Sequence, residues 1–208
     1  MKILKLIIIL IIPLGLFGES SALSRHLAMK EGNEIVVYGN YFELALPVAA
    51  GLHATSHKSS SYAREYATMM LQTHVYLYSM KYIIGRPRPR QALRASQRGK
   101  DPRDVDWVGR FHLSSFPSGH TTAAAAAATY FLWHGDTYSA IGAFVVAGFV
   151  GYSRVHAKAH YVSDVIGGAA LGFAVSSLSF ITTNRFSRPA QRSKVGVTIL
   201  PNCISLTY

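Results

Sequence analysis

The chain has 208 residues, half of them hydrophobic and 15% charged, so it suits a single domain with a sizeable core. Lys and Arg number 21 against 10 Asp and Glu, and this net charge of +11 indicates an anionic partner: a nucleic acid, an anionic membrane surface or a phosphorylated substrate. The single cysteine, Cys203, excludes an intramolecular disulfide, and no cluster of Cys and His has the spacing of a zinc site.

The first 22 residues have the pattern of a secretory signal peptide. Lys2 and Lys5 form a basic start, an apolar run follows over 6–17, and Ser20 and Ala22 are small residues placed as at a cleavage site. The run is shorter than the roughly 20 residues that a membrane span needs, which favours cleavage after Ala22 over an uncleaved anchor helix. In both cases we expect 23–208 to form one exported domain.

The rest of the chain predicts a series of helices. We expect them over 34–53, 62–85, 119–134, 137–153 and 165–184, with a basic loop of undefined role over 90–116 and a strand-like tail over 194–200. The segments 137–153 and 165–184 contain no charged residue, and the second includes Gly168 and Gly172 four residues apart. They are suited to touching or crossing a membrane, but a tightly packed soluble bundle also explains them.

The end of one predicted helix carries the first of three motifs. Lys81 falls in the last turn of the helix over 62–85, and Arg88 follows in an extended segment between Pro87 and Pro89. Cations are favourable at any helix C-terminus because of the helix dipole. Taken alone, the segment is therefore explained as well by helix stability as by the binding of an anion.

The second motif is Pro117, Ser118, Gly119 and His120, directly before an alanine-rich helix. Proline and serine are common at helix starts, and the N–H groups of a first turn form an anion site. His120 would lie in that turn and face a bound anion. An ordinary helix cap has the same residues, so these four positions alone do not decide between the two interpretations.

The third motif begins with Ser153 and Arg154, followed by His160 after five residues and Asp164 after three more. Residues four apart on a helix share a face, so we expect the carboxylate of Asp164 to contact the ring of His160. Such a contact fixes the proton on one ring nitrogen and leaves the other as a nucleophile with a lone pair. A surface His–Asp pair without a function would have the same spacing.

Together, the three motifs supply the groups that phosphoryl transfer without a metal requires. Charge on the transferring group spreads over its equatorial oxygens and is stabilised by positioned cations. Lys81, Arg88 and Arg154 can provide that charge, and arginine adds bidentate geometry. We therefore expect a phosphorylated substrate, no metal ligand set and no cofactor.

In order and spacing, these segments resemble the signature of the phosphatidic acid phosphatase type 2 / haloperoxidase superfamily, K-x6-RP, PSGH and SR-x5-H-x3-D. The resemblance spans about 43–183, most of the exported chain. All eleven specified residues are present: Lys81, Arg88, Pro89, Pro117, Ser118, Gly119, His120, Ser153, Arg154, His160 and Asp164.

The resemblance implies an all-α fold, a helical bundle of about six helices with the active site between helices. It also implies that His160 forms a phosphohistidine, that Asp164 orients it and that His120 protonates the leaving oxygen. The residues implied to bind the phosphate are Lys81, Arg88, Ser118, Gly119 and Arg154. The signature gives no role to the neighbouring Arg86, His112 and His156.

Several functions remain open at this point. A vanadate-dependent haloperoxidase uses the same constellation, although those proteins are generally much larger. A catalytically silent membrane-binding or nucleic-acid-binding protein would need only the positive charge. The basic residues concentrate around the motifs and not along a recognition helix, so we expect no nucleic-acid partner.

The expected function is hydrolysis of phosphate monoesters or pyrophosphates, lipid-linked in preference to soluble, on the periplasmic side of the cytoplasmic membrane. The membrane is an expected partner because of the two uncharged segments. The alternative is a broad-specificity soluble periplasmic acid phosphatase. The sequence defines neither the physiological substrate nor the oligomeric state.

Overall fold

Six helices and one short hairpin make up the residues that the computed structural model describes, which are 34–57, 59–101, 114–187, 196–200 and 203–207. The predicted signal peptide and residues 102–113 of the predicted basic loop lie outside this part of the chain. The elements are α1 Glu34–Ser56, α2 Ser60–Ile84, α3 Pro89–Gln97, α4 Gly119–His134, α5 Thr137–His156, α6 Val162–Ser187, β1 Gly196–Leu200 and β2 Cys203–Thr207.

The predicted all-α bundle and its five helices are confirmed. The start of α4 and its end match the prediction, whereas α1, α5 and α6 each extend a few residues further. Helix α2 begins two residues before the predicted start and ends one residue before the predicted end. The strand expected in the tail is β1, and it pairs antiparallel with β2. Patterns of apolar residues predict the middle of a helix more accurately than its first and last residues, because the terminal turns depend on local capping.

The segment predicted as a loop from residue 90 contains a helix, α3. Pro89 occupies the first turn of α3, and the side chain of Gln91 accepts a hydrogen bond of 3.1 Å from the backbone N–H of Arg88. Proline suits a first helical turn because it needs no hydrogen-bond donor there, and the Gln91 contact caps the start. The density of arginines made the segment resemble a solvated loop, although arginine is a good helix former.

The alanine-rich helix α4 lies at the centre of the bundle and contacts α1, α2, α5 and α6. Its alanines, 123–128, are all buried. On the facing side of α6, a Cβ at Gly168 would lie 2.7 Å from the carbonyl oxygen of Ser118, and one at Gly172 would overlap the carbonyl oxygen of Thr122. The small residues on both helices therefore allow their backbones to approach closely.

Three helices of the described chain are long and apolar enough to cross a membrane: α1, α5 and the Val162–Thr183 part of α6. Contacts between the long helices bring the start of α1, the end of α2, the start of α4, the end of α5 and the start of α6 together at one end of the bundle. All three sequence motifs lie at this end.

Candidate active site

His160 is held by the backbone of the segment that precedes α4. Its Nδ1 donates a hydrogen bond of 2.7 Å to the carbonyl oxygen of Ser115, and the Ser115 hydroxyl lies 3.4 Å from the same nitrogen. A carbonyl can only accept, so this contact places the ring proton on Nδ1. Nε2 therefore keeps its lone pair, which is the state that a nucleophilic imidazole requires.

The predicted His–Asp pair is close in space but does not share a helical face. His160 lies in the turn between α5 and α6, whereas Asp164 lies in the first turn of α6. The Asp164 Oδ2 atom is 3.8 Å from His160 Nδ1, beyond hydrogen-bond distance. The carboxylate therefore lies beside the ring without a hydrogen bond to it, because the Ser115 carbonyl is the acceptor for Nδ1.

Asp164 is fully buried and accepts hydrogen bonds from two residues that adjoin His160, namely Tyr161 and Ser115. Its Oδ2 atom accepts a hydrogen bond of 2.8 Å from the backbone N–H of Tyr161 and a further one from the hydroxyl of Ser115. Ser115 thus contacts the histidine through its carbonyl and the aspartate through its hydroxyl. Nothing in the sequence distinguishes Ser115 from its neighbours except its position two residues before the PSGH motif.

Arg86 completes the surroundings of Asp164. Its Nη1 lies 2.8 Å from Asp164 Oδ1 and donates a second hydrogen bond of 2.8 Å to the hydroxyl of Ser163. Its guanidinium also lies over the ring of Tyr161, 4.1 Å from the centroid. The signature gives Arg86 no role, but the structure brings it into the site. His156 is exposed, and His112 lies outside the described residues.

The other cations surround His160. Lys81 is buried and donates a hydrogen bond of 2.8 Å from Nζ to the carbonyl oxygen of Ser114. Burial, followed by the positive charges of Arg88, Lys81 and His120, lowers the pKa of His160 to about 2. Burial also lowers the pKa of Arg88. The histidine is therefore neutral and lies among charges that would stabilise a bound anion.

The PSGH segment forms a hydrogen bond to the first turn of α6. The backbone N–H of Ser118 donates a hydrogen bond of 2.9 Å to the carbonyl oxygen of Asp164, and the Ser118 hydroxyl lies 3.0 Å from that of Thr121. A Cβ at Gly119 would lie 3.9 Å from the side chain of Lys81. The start of α4, an expected phosphate-binding element, is therefore adjacent to both the buried lysine and the aspartate.

Helix α1 contributes to the site, although the three motifs do not include it. Glu43 Oε2 lies 2.9 Å from Nε2 of His120. On the same side of α1, the carbonyl oxygen of Val36 accepts a hydrogen bond of 3.2 Å from the guanidinium of Arg154, whose Nε donates to the hydroxyl of Ser153 at 3.0 Å. The structure thus brings all eight predicted site residues to one end of the bundle and adds Glu43, Arg86 and Ser115.

Among the described residues, no group of three or more His, Cys, Asp or Glu side chains could hold a metal ion. The site instead combines a neutral imidazole, a second imidazole beside a carboxylate, and several cations. Such a set can bind a tetrahedral anion, present a nitrogen nucleophile to it and transfer a proton to a leaving oxygen.

Comparison with known proteins gives matches at three levels. The family model described as the PAP2 superfamily matches residues 62–188. Lipid A 1-phosphatase of Porphyromonas gingivalis is 45% identical over 71 residues, which are 32% of this chain and 16% of that protein. The protein named "Probable lipid phosphate phosphatase 4" of Arabidopsis thaliana is 31% identical over 135 residues, 53% of this chain and 44% of that protein. The chain thus spans less than half the length of these relatives.

The fold is similar to that of a solved membrane protein. The crystal structure of a transmembrane PAP2-type phosphatidylglycerolphosphate phosphatase from Bacillus subtilis superposes with a TM-score of 0.54 at 21% sequence identity. The match covers 90% of this chain and 98% of that one. It supports the arrangement of helices described above.

Proposed function

Because the chain belongs to the PAP2 superfamily, we propose that it is a metal-independent phosphatase of lipid-linked phosphate esters that works through a phosphohistidine at His160. The observation that carries this proposal is the hydrogen bond from His160 Nδ1 to the Ser115 carbonyl, at 2.7 Å. It leaves Nε2 unprotonated in the middle of the cationic cluster of Lys81, Arg88 and Arg154.

The reaction has two steps. In the first, Nε2 of His160 attacks the phosphorus atom, the bond from phosphorus to the ester oxygen breaks, and His120 gives a proton to the leaving oxygen. In the second, water attacks the phosphohistidine, His120 accepts a proton from that water, and His160 leaves as the neutral imidazole. The side chains of Lys81, Arg88 and Arg154 and the start of α4, with Ser118 and Gly119, hold the phosphate oxygens in both steps.

The surface of the bundle supports a membrane-associated enzyme. Ile141 and Val145 of α5 and Ile166 and Leu178 of α6 are large apolar side chains that remain exposed. Soluble monomers rarely expose extended apolar surfaces, whereas acyl chains would cover them. Both helices have one end at the site, so the site would lie at head-group depth. This surface favours the membrane-associated enzyme over the soluble periplasmic acid phosphatase.

The printed names of the relatives support a lipid-linked substrate. One is a lipid A 1-phosphatase and another is named as a lipid phosphate phosphatase. The expected export signal at 1–22 would place the site on the periplasmic side of the cytoplasmic membrane. Phosphatidic acid and related lipid phosphates or pyrophosphates are therefore the first substrates to examine.

The test compares lipid and soluble substrates side by side. The full chain, purified in detergent, should release phosphate from phosphatidic acid in mixed micelles faster than from p-nitrophenyl phosphate, and His160→Asn should abolish both activities. Equal rates on both substrates, with protein that is recovered without detergent, would replace the lipid proposal by a general acid phosphatase. Bromide oxidation with peroxide and vanadate, without phosphate release, would identify a haloperoxidase instead.

A further inference from the structure

Glu43 is a buried carboxylate that no motif includes. Its side chain is 4% exposed, it lies on α1, and α1 precedes the 62–188 region that the family model matches. Helix α1 is also one of the three helices that could cross a membrane. An ionised carboxylate in such a helix is costly unless an opposite charge or hydrogen-bond donors compensate it, and residues of this kind commonly serve a function.

The position of Glu43 is set by the packing of α1 against the end of α5. One turn before Glu43, a Cβ at Gly39 would overlap the hydroxyl of Ser153. One turn earlier again, the carbonyl of Val36 accepts the hydrogen bond from Arg154. These contacts follow one face of α1, since residues three and four apart are neighbours on a helix. Glycine at position 39 therefore allows α1 to approach closely enough for Glu43 to reach the site.

Glu43 contacts the imidazole assigned above as the proton donor, with Oε2 2.9 Å from Nε2 of His120. The charges of Lys81, Arg88 and Arg154 oppose a further positive charge in the same cluster, and a carboxylate at this distance offsets them. Because Oε2 of Glu43 lies beside Nε2, we assign the proton that reaches the leaving oxygen to Nδ1. After the transfer, the neutral ring keeps its proton on Nε2, close to the carboxylate.

We propose that Glu43 is a positioning residue that keeps His120 protonated and oriented as the acid that protonates the leaving oxygen. This inference rests on the proposed phosphatase function and deepens it. Glu43 neither contacts the phosphate nor changes protonation state during the reaction. Its contribution to the rate is largest for substrates with a poor leaving group, such as the alkoxide of a lipid phosphate.

The test uses the dependence of the reaction on the leaving group. Glu43→Gln should lower kcat/KM for an alkyl phosphate such as phosphatidic acid by about 10- to 100-fold, which is part of the roughly 10²–10⁴-fold that the acid itself supplies. For p-nitrophenyl phosphate, whose leaving group needs no proton, kcat/KM should change less than about 3-fold. In a His120→Asn background, Glu43→Gln should cause no further loss on either substrate, because the two residues act as one unit.

A second Glu–His pair provides the matched control. Glu65 lies 3.0 Å from Nε2 of His134 at the opposite end of the bundle. Glu65→Gln removes the same kind of contact from the same bundle and should leave the ratio of the two kcat/KM values unchanged. A change in that ratio as large as that of Glu43→Gln would overturn the inference, because it would show that the selectivity responds to bundle stability.

The remaining outcomes separate the inference from the function on which it rests. An equal loss on both substrates, or no loss on either, would overturn the role of Glu43 while the phosphatase function stands. If Glu43→Gln does not fold, Glu43→Asp is the second variant, because it keeps the negative charge but moves it away from His120. Glu43→Asp should lower activity on phosphatidic acid more than on p-nitrophenyl phosphate. An equal loss on both substrates would overturn the inference. Failure of the wild type to hydrolyse either substrate would instead contradict the phosphatase function itself.

Discussion

The guanidinium of Arg86 and the carboxylate of Asp164 form an ion pair next to the candidate nucleophile, with Nη1 2.8 Å from Oδ1. Asp164 is fully buried, whereas the Arg86 side chain is 38% exposed. The aspartate does not hydrogen-bond to His160 directly. It instead orders the segment around the histidine through Tyr161 and Ser115, and Arg86 compensates its charge.

Replacing Arg86 by Gln should therefore lower both stability and turnover. Breaking a fully buried ion pair costs about 3–5 kcal/mol, and the partial exposure of Arg86 reduces the expected loss to about 1–3 kcal/mol. Turnover should fall about 10-fold or more because the His160 segment loses order. Thermal unfolding in detergent and kcat on p-nitrophenyl phosphate measure the two effects. Arg94→Gln, which removes an exposed positive charge on α3, is the control and should change neither.

Ser115→Ala and Asp164→Ala should differ in severity. Ser115→Ala keeps the carbonyl that accepts from His160 and removes only the hydroxyl, so turnover should fall less than about 10-fold, with a stability loss of about 1–3 kcal/mol. Asp164→Ala removes the partner of Arg86, Tyr161 and Ser115 together and should lose most activity. Comparable losses in kcat would show instead that the hydroxyl is the essential contact.

Acid should destabilise the wild type more than His160→Asn. The folded pKa of His160 is about 2 against an ordinary value of 6.5, so below pH 6.5 the unfolded chain binds a proton that the folded chain does not. Stability present above pH 6.5 is consequently lost as the pH falls towards 2, by up to about 1.4 kcal/mol per pH unit from this group.

Asparagine does not titrate, so this contribution is absent from His160→Asn. The Tm of the variant should fall less steeply than that of the wild type between about pH 7.5 and about pH 5, measured in the same detergent. Parallel slopes for the two proteins would mean that folded His160 takes up a proton over this pH range as the unfolded chain does, which would contradict its lowered pKa.

Chelators should leave activity unchanged, and vanadate should inhibit it. The described part of the site contains no group of carboxylates and histidines that could hold a metal, and its cations can take the place of one. Vanadate adopts the five-coordinate geometry of the transition state and should compete with substrate for the same cations. Phosphate release after treatment with EDTA, and again with added Mg²⁺, measures the first effect. A strict Mg²⁺ requirement would refute the mechanism.

Substitution by alanine should have opposite effects on the free energy of unfolding at Gly172 and at Gly148. A Cβ at Gly172 would overlap the backbone of α4, so Gly172→Ala forces α4 and α6 apart and should cost about 1–3 kcal/mol. Gly148 lies on the exposed side of α5, where a Cβ would meet nothing within 4 Å. Gly148→Ala should be neutral or stabilise by up to about 1 kcal/mol through helix propensity. Equal Tm shifts would show that the close approach of α4 and α6 adds nothing to stability.

Most of the helical architecture follows from local patterns. The alanine run, the uncharged segments 137–153 and 165–184, and the proline and serine before Gly119 predict elements that the structure contains. Helix α3 is the exception, because its many arginines made a helical segment resemble a solvated loop. The site residues with motif spacing were also identifiable, because each motif is only a few residues long and its spacing is visible in the chain.

The sequence by itself determined five of the six described helices, the three motifs and the residue types of the candidate site, since these depend on residue type and near-neighbour spacing. Only the tertiary structure decided which groups surround the two histidines. Arg86 and Asp164 are 78 residues apart, and Ser115 and His160 are 45 apart. Glu43 reaches His120 from a different helix. Contacts of this kind leave no periodic signal, because they depend on how α1, α4 and α6 pack together and not on the order of residues within any one of them.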